Sequence, residues 1–270
     1  MNITFIGGGN MASALIGGLL QQGFSASELH VVELNEAARA ALTQTFGVTT
    51  YPAISAAAVQ SDVIVLAVKP QQLQTVAKEL QPLLRDQLVV SIAAGVRAAD
   101  LARWLGGYQR LVRTMPNTPA LVRQGMTGLY ALPAVSAAQR EQAQRIMQAV
   151  GQSVWLDDEA QLDAVTAVSG SGPAYVFFFI EALEAAGVEL GLAPAQARAL
   201  ALATFQGAAQ LASGSPDAPA VLRAKVTSKG GTTERAIQSM ESAAVKDYII
   251  TAVKAAADRS RQLGDELGAG

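Results

Sequence analysis

The pattern that most limits the fold lies at the start of the chain, where an apolar run leads directly into a cluster of glycines. Residues Ile3-Thr4-Phe5-Ile6 are followed by Gly7-Gly8-Gly9-Asn10-Met11-Ala12. Apolar or small residues then recur at spacings of three and four up to Leu19, which is the pattern of a helix with one buried face. The sequence therefore predicts a strand, a tight glycine turn and a helix.

The spacing within this turn, Gly7-x-Gly9-x-x-Ala12, is the G/A form of the dinucleotide-binding fingerprint. Gly7 permits the tight turn, Gly9 leaves room for a pyrophosphate beside the backbone, and Ala12 lets the helix pack closely. Free N–H groups at the helix start would face the phosphates. Taken alone the spacing is weak, and an ordinary glycine turn is the alternative. Its place between a strand and a helix favours a cofactor site over residues 7–12.

Three later apolar runs predict strands that end at the same edge of a parallel sheet, the edge at which open α/β sheets bind ligands. The segments that follow these runs are Lys69-Pro70, Ala93-Ala94-Gly95 and Met115-Pro116-Asn117-Thr118-Pro119. Lys69 could be a solvated strand end, and the proline-flanked segment could be a structural turn. The predicted cofactor contacts in this group are Ala67, Val68, Lys69, Pro70, Ala93, Ala94 and Asn117.

The end of the predicted second strand, residues 29–33, bears on the choice of cofactor. Glu33 follows Gly7 at about the distance at which an acidic residue bonds the ribose 2′-OH of NAD. A carboxylate pointing inward would repel the 2′-phosphate of NADP, and positions 34 and 35 hold Leu34 and Asn35 rather than arginine. A surface carboxylate that faces water is an equal alternative. Glu33, Leu34 and Asn35 are all predicted cofactor contacts.

Composition excludes several classes of chemistry. The chain has 270 residues, no cysteine and one histidine, His30, which lies in the second strand and reads as structural. Disulfides, a thiolate nucleophile, a zinc site and a histidine-based triad are therefore not expected, and we predict no metal. A net charge of −2 gives no reason to expect nucleic acid. The absence of a signal-type segment or a membrane span predicts a cytoplasmic location.

Strand patterns continue through residues 126–132 and 153–156 and then stop, because only helical patterns follow Asp158. We therefore predict an α/β fold, with an N-terminal Rossmann-type doubly wound sheet over residues 1–158 and an all-α dimerisation domain over residues 159–270. The segment Tyr175-Val-Phe-Phe-Phe-Ile180 is apolar on every face of a helix. Such a helix must be buried all round, which predicts that it lies in a subunit interface.

Two loops of the helical half contain small and hydroxyl residues. Ser169-Gly170-Ser171-Gly172-Pro173 lies between helical patterns, and Val226-Thr-Ser-Lys-Gly-Gly-Thr-Thr-Glu234 precedes another helix. The second loop could present N–H groups and hydroxyls to a small carboxylate. It could equally be an ordinary capped helix start, with Thr232 or Thr233 as the N-cap.

Taken in order, these motifs resemble the pyrroline-5-carboxylate reductase family over nearly the whole chain. The glycine turn, Ala67-Val68-Lys69-Pro70, Ala93-Ala94-Gly95, the Met115–Pro119 segment, Ala167–Tyr175 and the loop of residues 226–233 follow the order of the family's motifs. The resemblance implies NAD(P)H-dependent reduction of the cyclic imine L-1-pyrroline-5-carboxylate to L-proline, the last step of proline biosynthesis. It also implies a helical domain that intertwines with a partner's and an active site between the cofactor domain and helices of the dimer, often in rings of five dimers.

The resemblance also suggests which residues act. Thr233 would bond the ring nitrogen and could relay a proton, and Ser171 would be the second catalytic residue. The predicted substrate-binding residues are Gly172, Ser228, Gly230, Gly231, Thr232 and Thr233. Many family members favour NADPH and carry small, hydroxyl or basic residues after the second strand. Glu33-Leu34-Asn35 departs from that pattern, so NADPH is expected with NADH left open.

Two other functions fit parts of the sequence. The first is a related imine reductase or a hydroxyacid dehydrogenase, which would need a lysine or histidine acid. Lys225, Lys229 and Lys246 are the candidates, and none lies where that role is compelled. The second is a non-catalytic dimer that senses nicotinamide cofactors. A sensor would not need the two loops that contain Ser171 and Thr233.

Overall fold

The computed structural model describes residues 1–269 and contains one mostly parallel sheet of eight strands. The strands are β1 Ile3–Ile6, β2 Leu29–Val32, β3 Thr49–Tyr51, β4 Val63–Leu66, β5 Leu88–Ser91, β6 Leu111–Met115, β7 Gly125–Ala131 and β8 Gly151–Trp155. Their spatial order is β3-β2-β1-β4-β5-β6-β7-β8, and the pair β6 and β7 is antiparallel. The doubly wound sheet predicted from the sequence is confirmed.

The position of β1 determines where a ligand can bind. β1 lies between β2 and β4, so the chain leaves it towards one edge of the sheet and later returns on its other side. Such a reversal of strand order opens a crevice beyond the carboxyl ends of the central strands. The glycine turn that follows Ile6 lies at this crevice.

Eleven α-helices are present in the described chain. They are α1 Asn10–Gln21, α2 Glu36–Phe46, α3 Pro70–Leu80, α4 Ala98–Trp104, α5 Ala137–Gln148, α6 Gln161–Val165, α7 Gly172–Glu189, α8 Pro194–Ser213, α9 Pro219–Lys225, α10 Thr232–Ser242 and α11 Val245–Gly268. A π-helical turn, Thr166–Gly170, lies between α6 and α7. Such turns are rare and often mark functional sites.

The core consists of two layers, one on each face of the sheet. In β4, Val63 and Val65 face the layer that contains Leu15 of α1. Ile64 and Leu66 face the opposite layer with α3 and α4. This alternation follows from the two-residue period of a strand. Since both faces are covered, the central strands are continuous apolar runs, as the sequence indicated.

The chain forms two compact units. The first comprises residues 1–171 and the end of α11 from Ala256, and the second comprises residues Gly172–Ala255. Within residues 1–269, no strand follows Trp155, as predicted. The functional division at residues 158 and 159 stays a prediction.

Some elements were not predicted from the sequence. The short edge strand β3 and the helices α3 and α4 are additional. The last helix, α11, begins at Val245 and does not continue directly from α10. The reason is the backbone of Ala244, whose φ of 52° is left-handed and separates α10 from α11.

Most of the large apolar side chains that are exposed in residues 1–269 lie in the second unit. Phe177 and Phe178 of α7 are 65% and 68% exposed. Every residue of α7, which lies wholly within the described residues, is at least partly exposed. Exposed apolar side chains in this number are typical of a protein–protein interface. No helix within residues 1–269 is both long and apolar enough to span a membrane.

Two neighbouring glycines of α1, Gly17 and Gly18, allow a test of how closely this helix packs against the rest of the first unit. A Cβ at Gly18 would lie 2.3 Å from the carbonyl oxygen of Ala149, whereas one at Gly17 would meet only a Phe46 ring carbon at 3.4 Å. We expect Gly18→Ala to lower the free energy of unfolding by about 1–3 kcal/mol, because backbone atoms must move. Gly17→Ala, the matched control, should leave it unchanged or raise it by up to about 1 kcal/mol. Urea unfolding measures both; equal effects would contradict the packing argument.

Candidate active site

The glycine turn is held at the crevice by hydrogen bonds to both neighbouring strand ends. The Gly7 N–H donates to the carbonyl oxygen of Val32 at 2.8 Å, and the Ala67 N–H donates to that of Ile6 at 2.8 Å. Gly7 has a φ of 101°, and a Cβ there would lie 2.7 Å from the Ala67 oxygen. Only glycine meets both conditions.

The start of α1 is open to a ligand. Gly9 is its N-cap, and among the described residues no side chain caps the helix and no acidic residue lies in its first turn. A Cβ at Gly9 would meet no described atom within 4 Å. Ala12 is fully buried against the core, while Asn10 is exposed. Uncapped N–H groups beside an open glycine fit the pyrophosphate of a dinucleotide.

Glu33 faces the glycine turn. Its Oε2 accepts a hydrogen bond from the Gly8 N–H at 3.0 Å, and its Oε1 accepts one from the Asn35 N–H at 2.9 Å. The sequence left open whether this carboxylate points inward or into water, and the hydrogen bond to Gly8 places it inward. Asn35 caps α2 by accepting from the Ala38 N–H at 2.9 Å.

A cavity of about 370 Å³ adjoins the turn. Gly7, Glu33 and Leu34 line one wall, and Gln72 and Thr75 of α3 line another. Leu34 is 77% exposed, so a large apolar side chain is presented where a flat base could cover it. This cavity has the position expected for the adenosine end of a dinucleotide.

The other predicted cofactor contacts lie along the same sheet edge. Lys69 is the exposed N-cap residue of α3, and Pro70 is the first residue of that helix. Ala93 is buried and Ala94 is exposed after β5. Next to them, a Cβ at Gly95 would lie 3.0 Å from Leu267, so the end of α11 packs against this turn.

An ion pair ties the end of α11 to the segment that follows Gly95. The Arg97 guanidinium donates to Asp265 Oδ1 at 2.7 Å. This hydrogen bond raises the pKa of Arg97 above its ordinary value, so the cation is favoured further.

Asn117 has a structural role that the sequence did not reveal. Its side-chain amide donates to Ser169 Oγ at 3.1 Å and to the Ser169 carbonyl oxygen at 3.3 Å. Its Oδ1 accepts from the Met126 N–H at 2.9 Å. Asn117 therefore fastens the π-helical turn that ends just before Ser171 to the carboxyl end of the sheet. A direct contact with the cofactor stays a prediction.

A second connection, between Arg113 and Glu159, could not be predicted from the sequence motifs. Arg113 in β6 is 6% exposed and donates to Glu159 at 2.7 Å, and Glu159 also accepts from the Ala98 N–H at 2.6 Å. The only signal was an arginine inside an otherwise apolar strand, since a buried cation requires a partner. The pair ties β6 to the start of the helical segment.

The loop of residues 228–233 lies in the second unit and is already partly hydrogen-bonded. The Gly230 N–H donates to Glu234 Oε2 at 2.7 Å, and the Gly231 N–H donates to the Ser228 carbonyl oxygen at 3.0 Å. Gly230 has a φ of 71°, which favours glycine.

The suggestion that Thr232 or Thr233 is the N-cap of the next helix is wrong. Gly231 is the N-cap of α10, and both threonines lie in its first turn and are exposed. Among the described side chains none caps this helix. The small Gly231 and the bond from Gly230 to Glu234 allow the helix to start one residue earlier, which leaves both hydroxyls free of a capping role.

The predicted site residues thus fall into two groups. The cofactor candidates, Ser169 and Ser171 belong to the first unit, and Gly172 and the 228–233 loop belong to the second. A doubly wound sheet with an uncapped helix behind a glycine turn defines a Rossmann-type, dinucleotide-binding class of protein.

Comparisons with known proteins give the family. Residues 159–263 match the family model described as pyrroline-5-carboxylate reductase dimerisation, and residues 2–95 match one described as NADP oxidoreductase, coenzyme F420-dependent. A pyrroline-5-carboxylate reductase from Pseudomonas aeruginosa is 49% identical over 98% of both chains. This chain belongs to the pyrroline-5-carboxylate reductase family, and residues 159–263 are its self-association region.

Solved structures agree with that assignment. A pyrroline-5-carboxylate reductase from Coxiella burnetii has a TM-score of 0.93 and 42% identity, and the match covers 97% of this chain and 98% of that one. The Plasmodium falciparum pyrroline carboxylate reductase, solved with NADP bound, has a TM-score of 0.86 and 28% identity over 98% of both chains.

Because a Cβ at Gly9 would meet no described atom within 4 Å, a substitution there should change cofactor binding without changing the fold. Gly9→Ala should weaken binding of the reduced cofactor by about tenfold or more, because a methyl group would stand where the pyrophosphate approaches. The φ of Gly9 is −71°, which alanine adopts freely, so the melting temperature should change little. Fluorescence titration measures the affinity, with Gly17→Ala in the same helix as control. Unchanged affinity would remove Gly9 from the binding site.

Proposed function

We propose that this protein is a pyrroline-5-carboxylate reductase that reduces L-1-pyrroline-5-carboxylate to L-proline with a reduced nicotinamide dinucleotide. The observation that carries the proposal is the uncapped start of α10, where exposed threonines follow a left-handed glycine. That arrangement suits a small ligand that combines a carboxylate with a ring nitrogen. Membership of the family, over almost the full length of the chain, supports it.

The cofactor is NADPH, with NADH as the alternative. The uncapped α1 start and the cavity beside Glu33 fit a dinucleotide. The NADP bound in the Plasmodium falciparum relative supports the phosphorylated form. When bound, the reduced nicotinamide supplies a hydride to the imine carbon.

The substrate carboxylate would be held by the N–H groups of Thr232 and Thr233. Gly230 and Gly231 were expected to contribute theirs, but those N–H groups already bond within the loop. The two glycines would therefore shape the turn, and the Ser228 hydroxyl could add a further donor. Two convergent N–H groups at a helix start, aided by the helix dipole, bind a carboxylate well.

Thr233 would act on the ring nitrogen. The imine reacts in its protonated form, so the electron pair of the C=N bond moves onto nitrogen as hydride arrives at carbon, and a neutral amine results. A hydroxyl suffices to orient that nitrogen and to relay a proton, and no strong acid is required in this step. Ser171 and Gly172 would shape the opposite wall.

In the proposed organisation, residues 1–158 bind the cofactor, and residues 159–270 bind the substrate and associate with a partner copy. The exposed Phe177 and Phe178 support a dimer through α7. We further propose a pentamer of dimers that works in the cytoplasm. Light scattering at micromolar concentration should give the mass of ten chains; a monomer would refute the interface, and a dimer would refute the ring.

The function is tested by the loss of reduced-nicotinamide absorbance when pyrroline-5-carboxylate is added to the purified protein. We expect turnover with at least one of NADPH and NADH, and proline as product. Cofactor binding without turnover would instead favour a nicotinamide-sensing dimer.

Thr233→Ala tests the residue assignment. Turnover should fall about tenfold or more, the scale of a lost positioned hydrogen bond, while the melting temperature is kept because the side chain is exposed. Ser242→Ala removes a hydroxyl at the other end of α10, where it bonds only the Gln238 carbonyl oxygen, and should leave turnover unchanged. Equal kinetics in both variants would exclude Thr233 from the site.

A further inference from the structure

The turn that follows β5, residues 93–97, packs against the end of α11. Gly95 at its centre has a φ of 79°, which favours glycine. A Cβ at Gly95 would lie 3.0 Å from a methyl carbon of Leu267 and 3.5 Å from the Cβ of Leu263. Gly95 is buried, whereas Ala94 just before it is exposed. The last turns of α11 therefore support the middle of this turn and leave Ala94 open to a ligand.

Arg97 fastens the far end of the turn to the same helix. Its guanidinium donates to Asp265 Oδ1 at 2.7 Å and to the carbonyl oxygen of Arg261 at 3.4 Å. A Cβ at Gly264 would lie 3.1 Å from Arg97 Nε, so the guanidinium lies directly against the helix backbone. Arg97 is also the N-cap residue of α4, so α4 starts from a residue that α11 holds.

Other bonds anchor the two ends of the turn to the rest of the first unit. The Ala93 N–H donates to the buried Ser91 Oγ at 3.3 Å, and the Ala98 N–H donates to Glu159 Oε1 at 2.6 Å. The contacts with α11 act on the backbone between these two points. Loss of those contacts should loosen the middle of the turn without releasing its ends.

The position of β5 in the sheet indicates which half of a dinucleotide this turn would meet. β5 adjoins β4, and both lie on the other side of β1 from β2. A dinucleotide binds across the crevice with one nucleotide on each side. Since the adenosine end lies beside Glu33 after β2 in the proposed binding mode, the nicotinamide end belongs beside β4 and β5. The small Ala93 and Ala94 leave room for its flat ring there.

We infer that the end of α11 positions the nicotinamide half of the bound cofactor, with Asp265 and Leu267 as positioning residues. Asp265 acts through Arg97, and Leu267 acts through Gly95. The inference rests on the proposed use of a nicotinamide dinucleotide and adds which part of the chain holds the ring side of its site. A loosened turn must be ordered again when the ring binds, and that ordering weakens binding.

The experiment compares two ligands on each variant of the full-length protein, by calorimetric titration without imine. NADPH carries the nicotinamide, and 2′-phospho-ADP-ribose keeps the rest of the molecule but lacks the ring. The wild type should bind NADPH more tightly than the ringless probe. Asp265→Asn should raise the dissociation constant of NADPH about threefold, the scale of a lost exposed ion pair. Leu267→Ala should raise it about fivefold or more, because apolar contact with the turn is lost.

Neither variant should change the dissociation constant of the ringless probe by more than about twofold, since the adenosine side is not touched. A role in general stability would weaken both ligands alike. The ratio of the two dissociation constants within one variant also cancels any loss of folded protein.

Glu266→Gln is the matched control for Asp265→Asn. Glu266 is the next residue of α11, is also exposed, and bonds an arginine, with its Oε1 accepting from Arg259 at 2.6 Å. That ion pair lies within α11 and does not reach the turn after β5. Glu266→Gln should therefore leave both dissociation constants unchanged.

The inference is overturned if the wild type binds both ligands equally, if Asp265→Asn and Leu267→Ala leave the ratio unchanged, or if Glu266→Gln alters it as much. Turnover of pyrroline-5-carboxylate is measured separately on the same samples. A wild type that reduces the imine while the ratios fail to change would refute only this inference, and the expected ratios without any turnover would refute only the proposed reaction.

Discussion

The close approach of β1 and β4 behind the glycine turn is the constraint on which the rest of the site depends. Gly7 bonds to the end of β2 while its Cα lies against the backbone of Ala67 at the end of β4. A side chain at position 7 would push these strand ends apart. The start of α1, the position of Glu33 and the adjoining cavity all depend on that spacing, because each is hydrogen-bonded to the turn or lines it. When a turn binds a ligand through backbone groups, the positions of those groups are fixed by the strands that hold the turn.

The predictions from the sequence succeeded where a pattern reflects a repeating physical requirement. Buried strands must be apolar, and a helix behind a glycine turn must present a small residue to the core, so the sheet and Ala12 could be predicted. Periodicity fails for short elements such as β3, whose three residues carry too little pattern. It also fails for Ala244, because alanine rarely adopts a left-handed backbone and its presence does not predict one.

Side-chain direction and hydrogen-bond partners were beyond the sequence. The residue type at position 33 was informative, but only the hydrogen bond to Gly8 shows where its carboxylate points. Gly230 and Gly231 were correctly singled out as a special turn, yet which of their N–H groups remain free depends on Glu234 and Ser228. Arg113 and Asn117 bond residues more than forty positions away, and local patterns do not encode such partners.

The π-helical turn of residues 166–170 makes this segment sensitive to a change in its length. It contains one residue more than an α-helical turn would need, and Asn117 holds it in place through Ser169. Deleting one residue there would let the segment relax into ordinary helix and would turn Ser169 by about 100° away from Asn117. A single-residue deletion at this turn would therefore free the segment from the sheet while leaving Asn117 and every strand residue chemically intact.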